Sequence, residues 1–188
     1  MKSNVVGCTL ELWWSCRIGH KGKWCSSAKY AGMYANNLQF SAALLLSGNN
    51  YGKIETMSRF LGLVHPSKAS FLRAQKFYCI PAIDEWWQWM RSNILSLVSN
   101  LQVIVSGDGQ SDSPGHTAKY LTYFVMMSDD LEDFIVHLEC IDKREVGGKS
   151  PCMEREALKR RVQKLKDLIN LKEVVTHASS SIVKMMSN

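Results

Sequence analysis

No stretch of this chain stays apolar long enough to cross a bilayer. Runs such as Ala42-Ala43-Leu44-Leu45-Leu46 stop after a few residues, where a spanning helix needs about 20. No membrane partner is expected. The start, MKSNVVGCTLELWW, has no apolar core followed by a small-residue cleavage site, so no secretory signal is expected either. Internal repeats and low-complexity tracts are missing, which excludes solenoids and linker-like arrays. The six cysteines contain no C-x₂₋₄-C knuckle of the kind on which strong zinc patterns rest. Without a secretion signal they read as reduced thiols of an intracellular protein, cytosolic or nuclear, and not as a disulfide framework.

What is present is a core and a charge. The chain has 188 residues, 46% of them hydrophobic, enough for one domain or two small modules. Its net charge of +6 suits a polyanionic partner.

Three textures follow one another. Over 5–27 apolar and polar residues alternate around Gly19-His20-Lys21-Gly22, which reads as a β-hairpin. From 36 the period becomes helical. Leu38, Ala42, Leu45 and Leu46 predict one helix face, and Gly48-Asn49-Asn50 a stop. Ile54, Met57, Phe60 and Leu61 predict a second helix ending at Gly62, and Ser67 caps a third carrying Phe71, Leu72, Gln75 and Tyr78. Pro81 sits at the start of a fourth, running from Trp86 to Val98. Trp86, Trp87 and Trp89 cannot all share one face of it. Strands are expected over 101–106, 118–127 and 132–141, then a linker at Gly147-Gly148, an amphipathic helix over 153–170, a strand over 173–176 and a helix start at Ser180. A strand meander followed by a helix and a further strand is how an RNase H-like α/β fold opens.

Four sets of residues carry chemistry on this reading. Asp108 stands between Gly107 and Gly109 at the expected lip of a strand, followed by a loop with Asp112 and His116. Such a carboxylate either serves a metal site or begins a turn. Cys8, Cys16, His20 and Cys25 surround the hairpin and are a candidate Zn²⁺ set, although C-x₇-C-x₃-H-x₄-C is not a strong zinc spacing. The helices over 52–62 and 67–79 have a helix-turn-helix look, with Lys68, Arg73, Gln75 and Lys76 suited to phosphates or base edges. Lys159, Arg160, Arg161 and Lys164 form a basic run that reads either as a nucleic-acid contact or as the solvated face of a helix countered by Glu154, Glu156 and Asp167.

The segments SGDGQSDSPGHTAKYLTYFVMM, EREALKR and KEVVTHASSSI together resemble the catalytic domain of DDE-type transposases, in its transposon-derived, Kolobok- or Mutator-like form. WWSCRIGHKGKWCSS looks like the zinc-ribbon-like section ahead of that domain, and LLLSGNNYGKIETMSRFLGL with SFLRAQKFYCIPAIDEWW like its helix-turn-helix section. The resemblance implies an α+β chain. A zinc-ribbon-like hairpin remnant spans 1–35, a helix-turn-helix-like region 36–100, and an incomplete RNase H-like α/β domain 101–188. In that family two or three carboxylates hold Mg²⁺ or Mn²⁺ ions that activate water or a 3′-hydroxyl against a phosphodiester. Asp108 matches the first carboxylate, and His177 stands where the second would be. No third follows before Asn188, so Glu154 or Glu156 would have to lend an oxygen. Histidine is a poor substitute at a Mg²⁺ site. The resemblance therefore implies a truncated, degenerate relative, nuclear and bound to DNA, that has lost cleavage. The alternatives are a metal-dependent nuclease acting through Asp108, and a non-catalytic fragment that self-associates through open sheet edges.

Overall fold

The computed structural model describes residues 1–128, 134–176 and Ile182. The chain is mixed α+β and divides into two compact units, Met1–Trp86 and Trp87–Asn188. No helix among the described residues is long and apolar enough to cross a membrane.

The first unit begins with an antiparallel sheet of β1 (Lys2–Val6), β2 (Thr9–Ser15) and β3 (Lys21–Cys25), in that spatial order. The β2–β3 hairpin is the one expected from the alternation. β1 is an addition, joined through a tight turn in which Gly7 has φ of +60°. A short ribbon of β4 (Lys29–Tyr30) and β5 (Met33–Tyr34) leads into α1 (Ala35–Leu46). The sequence predicts Leu38, Ala42, Leu45 and Leu46 as the inner face of α1, but the buried positions are Asn37, Ser41 and Leu44. The reason is backbone satisfaction. Asn37 Oδ1 accepts from Cys8 N–H at 2.7 Å and its Nδ2 donates to the Val6 carbonyl at 3.0 Å, so this amide closes the β1–β2 turn. A Cβ on Gly7 would lie 2.6 Å from Asn37 Oδ1, which leaves room for glycine alone. Hairpin and helical segment are thereby tied into one unit.

α2 (Tyr51–Leu61) ends as expected at Gly62, which is left-handed, and Ser67 caps α3 (Lys68–Ala74) by accepting from Ser70 N–H. The apolar row Met57, Phe60 and Leu61 is exposed, however. The small core of this unit comes instead from Leu44, Tyr51 and Phe71, with the Tyr51 hydroxyl donating to the Pro66 carbonyl at 3.0 Å. Pro81 does not open a new helix. Gln75–Cys79 forms a π turn that joins α3 to α4 (Ile80–Val98) without a break, Ile80 N–H reaching back to the Gln75 carbonyl. Proline has no N–H to give the carbonyl four residues earlier, and a widened turn absorbs the missing bond and the ring.

The second unit is a four-stranded sheet of β6 (Gln102–Ser111), β7 (Tyr120–Met127), β8 (Ile135–Asp142) and β9 (Asn170–Thr176) in the order β8-β7-β6-β9. β6, β7 and β8 form an antiparallel meander, and β9 returns parallel to β6 after α5 (Pro151–Lys166). The alternation in β6 and β7 sends Val103, Val105, Leu121, Tyr123, Val125 and Met127 to one face. There they form a core with Met153, Ala157, Leu158 and Leu165 of α5 and with Ile94 and Val98 of α4. The meander, the helix and the returning strand match the expected order. β6 runs five residues further than expected, to Ser111 where the sequence suggests 106. Ser180 lies outside the described residues.

Candidate functional site

The extension of β6 changes what Asp108 is. It lies within the strand opposite Phe124, not at the strand's lip. Its side chain is exposed, and Oδ1 accepts from the N–H of Gly109 at 2.8 Å. The flanking glycines have a packing reason on the other face. A Cβ on Gly107 would stand 2.4 Å from the Tyr123 hydroxyl, and one on Gly109 would stand 3.3 Å from both Leu121 and Tyr123. The Gly-Asp-Gly pattern thus clears space for a tyrosine with no exposed surface. Burial raises the Tyr123 pKa, the Thr176 side chain pulls it down, and the charges of Glu154 and Asp108 add to the rise.

The other carboxylates have separate tasks. Asp112 Oδ1 accepts from Lys119 N–H at 2.9 Å and Tyr120 N–H at 3.2 Å, which locks the loop between β6 and β7. Those two backbone donors, Tyr120 first, hold its pKa below the usual value. Glu156 is bonded to Arg160 at 2.8 Å. Glu154 lines a cavity of about 240 Å³ together with Ser111, His116 and Ser150. His177 lies outside the described residues; among those described, the β6–β9 pairing runs as far as Gly107 with Thr176. A Mg²⁺ or Mn²⁺ ion needs several oxygen ligands converging at about 2.1 Å. Among the described residues no group of three His, Cys, Asp or Glu side chains is arranged to hold such an ion.

The zinc candidates are spread along the hairpin. Cys16 and His20 bracket its tip, with Cys16 N–H donating to the His20 carbonyl at 2.9 Å. Cys25 pairs with Glu11, five residues back along β2 from Cys16, a separation of about 16 Å at strand rise. Cys8 sits in the β1–β2 turn, its Sγ 3.8 Å from the Val64 carbonyl. The four do not share a site.

In the basic run of α5 two of the four cations are consumed internally. Arg160 meets Glu145 at 2.7 Å, Glu156 at 2.8 Å and Glu139 at 3.8 Å. Arg161 is 3% exposed, paired with Glu139 through Nη2 and donating from Nη1 to Nε2 of His137. His137 Nδ1 in turn donates to the Leu138 carbonyl at 3.0 Å, which is the neutral tautomer. Only Lys159 and Lys164 stay at the surface. Sequence reading missed the Glu139–Arg161–His137 cluster. The register supplies it, because His137 and Glu139 are opposite Val125 and Tyr123 and so point to the α5 face.

This cluster makes a pH prediction. Burial, then the charges of Arg161 and Arg91, depress the His137 pKa from 6.5 to about 4. The unfolded imidazole takes up its proton near 6.5 and the folded one near 4. Between those values the unfolded state binds more protons, so stability falls as the pH falls. Thermal melts from pH 7 to 4 are expected to show that loss in the wild type and a flatter profile in His137→Asn. Equal slopes would contradict it.

Lys68 and Lys76 are exposed on α3 and the π turn, and Gln75 is half-buried. Arg73 lines a cavity of about 200 Å³ with Tyr34, Ser70 and Tyr78. Six residues, Gly62 to Ser67, separate α2 from α3. Charge sorts sharply between the units. Met1–Trp86 holds ten Lys and Arg against four Asp and Glu, whereas Trp87–Asn188 holds thirteen against thirteen. The whole +6 therefore belongs to the first unit, where Lys23–Glu11 is the one ion pair among the described residues.

Comparison with protein-family models, with curated proteins and with solved structures gave no match.

Proposed function

We propose that this chain is a nucleic-acid-binding protein of DDE-transposase descent. In this reading Met1–Trp86 makes the contact, and Trp87–Asn188 is an RNase H-like domain that no longer cleaves phosphodiesters. The observation that carries the binding is the charge split: all of the net +6 sits on one unit, where Lys23–Glu11 is the one ion pair among the described residues. Unpaired lysines and arginines displace counterions from a phosphate backbone, and the released ions supply the free energy. Descent is supported by the strand order β8-β7-β6-β9, with β9 parallel to β6 across α5 and Asp108 on β6. Loss of cleavage is supported by the tasks of the carboxylates. Asp112 closes a loop and Glu156 holds Arg160.

The test is a titration of duplex DNA with the whole protein at several salt concentrations. The logarithm of the association constant is expected to fall against the logarithm of salt with a slope of about −3 to −6, as for three to seven phosphate contacts. Binding should depend weakly on base sequence, since phosphate contacts position without specifying. A flat salt profile, or no binding, removes the proposal.

A second reading, the metal-dependent nuclease, is favoured by one feature, the place of Asp108 on a strand flanked by β7 and β9. With Mg²⁺ or Mn²⁺ supplied, supercoiled plasmid is expected to remain uncut. Nicking that Asp108→Asn abolishes would reinstate this second reading.

A further inference from the structure

We propose that the outer face of the β2–β3 hairpin is a stacking platform for unpaired bases of single-stranded nucleic acid, an inference that rests on the nucleic-acid reading and refines it.

The register places the platform. Trp14 is opposite Gly22 and Leu12 is opposite Trp24, so both tryptophans share one face of the hairpin, while Trp13, Lys23 and Glu11 take the other. Trp14 is 47% exposed and Trp24 49%. A Cβ on Gly22 would lie 2.2 Å from the Trp14 ring. The indole therefore lies across the bare backbone of β3, braced on one side and open on the other. Two half-covered indoles on one small sheet are a large apolar surface to leave in water, and such surfaces mark binding sites.

Charge selects the occupant. Glu11 is the sole carboxylate in residues 1–50. It is 6% exposed and neutralised by Lys23 at 3.2 Å, and the Tyr34 hydroxyl also bonds to it. The hairpin tip presents Arg17, His20 and Lys21, all exposed. A polyanion meets no opposing charge here, and a stacked base is held by its π face whatever its identity. Geometry favours a single strand over a duplex. Diagonal neighbours on a hairpin stand about 7–8 Å apart, roughly twice the 3.4 Å rise per base along one DNA strand. Neighbouring bases can occupy both rings once the strand is stretched, not while they are stacked in a helix.

The experiment measures the anisotropy of labelled oligo(dT) and of a duplex of equal length with the whole protein and two double variants. Trp14→Ala with Trp24→Ala is expected to weaken oligo(dT) binding by at least about tenfold, from stacking worth roughly 1–3 kcal/mol per base. Duplex affinity and the salt slope should stay as they are, because no charge is removed. Trp14→Phe with Trp24→Phe should restore most of the oligo(dT) affinity. Unchanged oligo(dT) binding by the alanine variant overturns the platform and leaves the nucleic-acid reading standing. So does an equal loss for both ligands that phenylalanine does not repair, which would make the rings structural only. A change in self-association alone would assign the face to a second copy of the chain. Absence of binding to either ligand by the wild type overturns both proposals.

Discussion

Glu139→Ala is expected to destabilise the second unit by about 3–5 kcal/mol, the usual result of removing one partner of a buried ion pair. Arg161 is 3% exposed, and Glu139 is the carboxylate paired with it. The other side chain that it hydrogen-bonds, His137, is neutral and returns no charge. Burial, then the charge of Arg91, already lowers the guanidinium pKa, yet arginine does not give up its proton in proteins. The truncation would therefore leave a cation desolvated and uncompensated. For a unit of this size the melting midpoint should drop by more than roughly 10 °C. Glu139→Leu combined with Arg161→Met removes both charges and keeps the volume, and it should recover most of the loss. A cost under about 1 kcal/mol for Glu139→Ala would put the pair among surface salt bridges and contradict the burial argument. Circular-dichroism melts of the three proteins decide it.

The second large effect concerns binding. Neutralising Lys68, Arg73 and Lys76 together should weaken duplex binding by about 10²–10³-fold near 0.1 M salt, since each lost phosphate contact forfeits roughly 0.9 of a counterion. The salt slope should become shallower by about 3. Lys68 and Lys76 are exposed, and Arg73 stands at a cavity. None of the three has an ion pair among the described residues, so their removal should leave folding intact. Unchanged melting with weakened binding separates this outcome from general destabilisation.

Local chemistry explains which elements were readable in advance. Gly62 and Ser67 mark helix ends through single-residue conformations, and both boundaries stand where the sequence places them. The meander, helix and returning strand follow from hydrophobic period alone. Three features needed the third dimension. Pro81 looks like a helix start because a π turn leaves no trace in a 3.6-residue period. Asn37 is buried because its amide completes a turn 30 residues earlier in the chain, a long-range bond that no periodicity reports. Asp108 looks like a strand lip because glycines commonly end strands, whereas here they make room for the side chain of Tyr123 on the paired strand. The candidate sites fared by the same logic. Arg160 and Arg161 looked solvated until register brought Glu139 and His137 to their face. The charge split was in the composition throughout and became visible once the boundary at Trp86 was known.

The account turns on which unit meets the polyanion. The most direct measurement is a side-by-side duplex titration, at several salt concentrations, of two triple variants. One carries Lys68→Ala, Arg73→Ala and Lys76→Ala in the first unit; the other carries Lys159→Ala, Lys164→Ala and Lys166→Ala on α5. The account predicts a large loss of affinity and a shallower salt slope for the first, and near wild-type behaviour for the second. Equal losses, or a loss confined to the α5 variant, would contradict it.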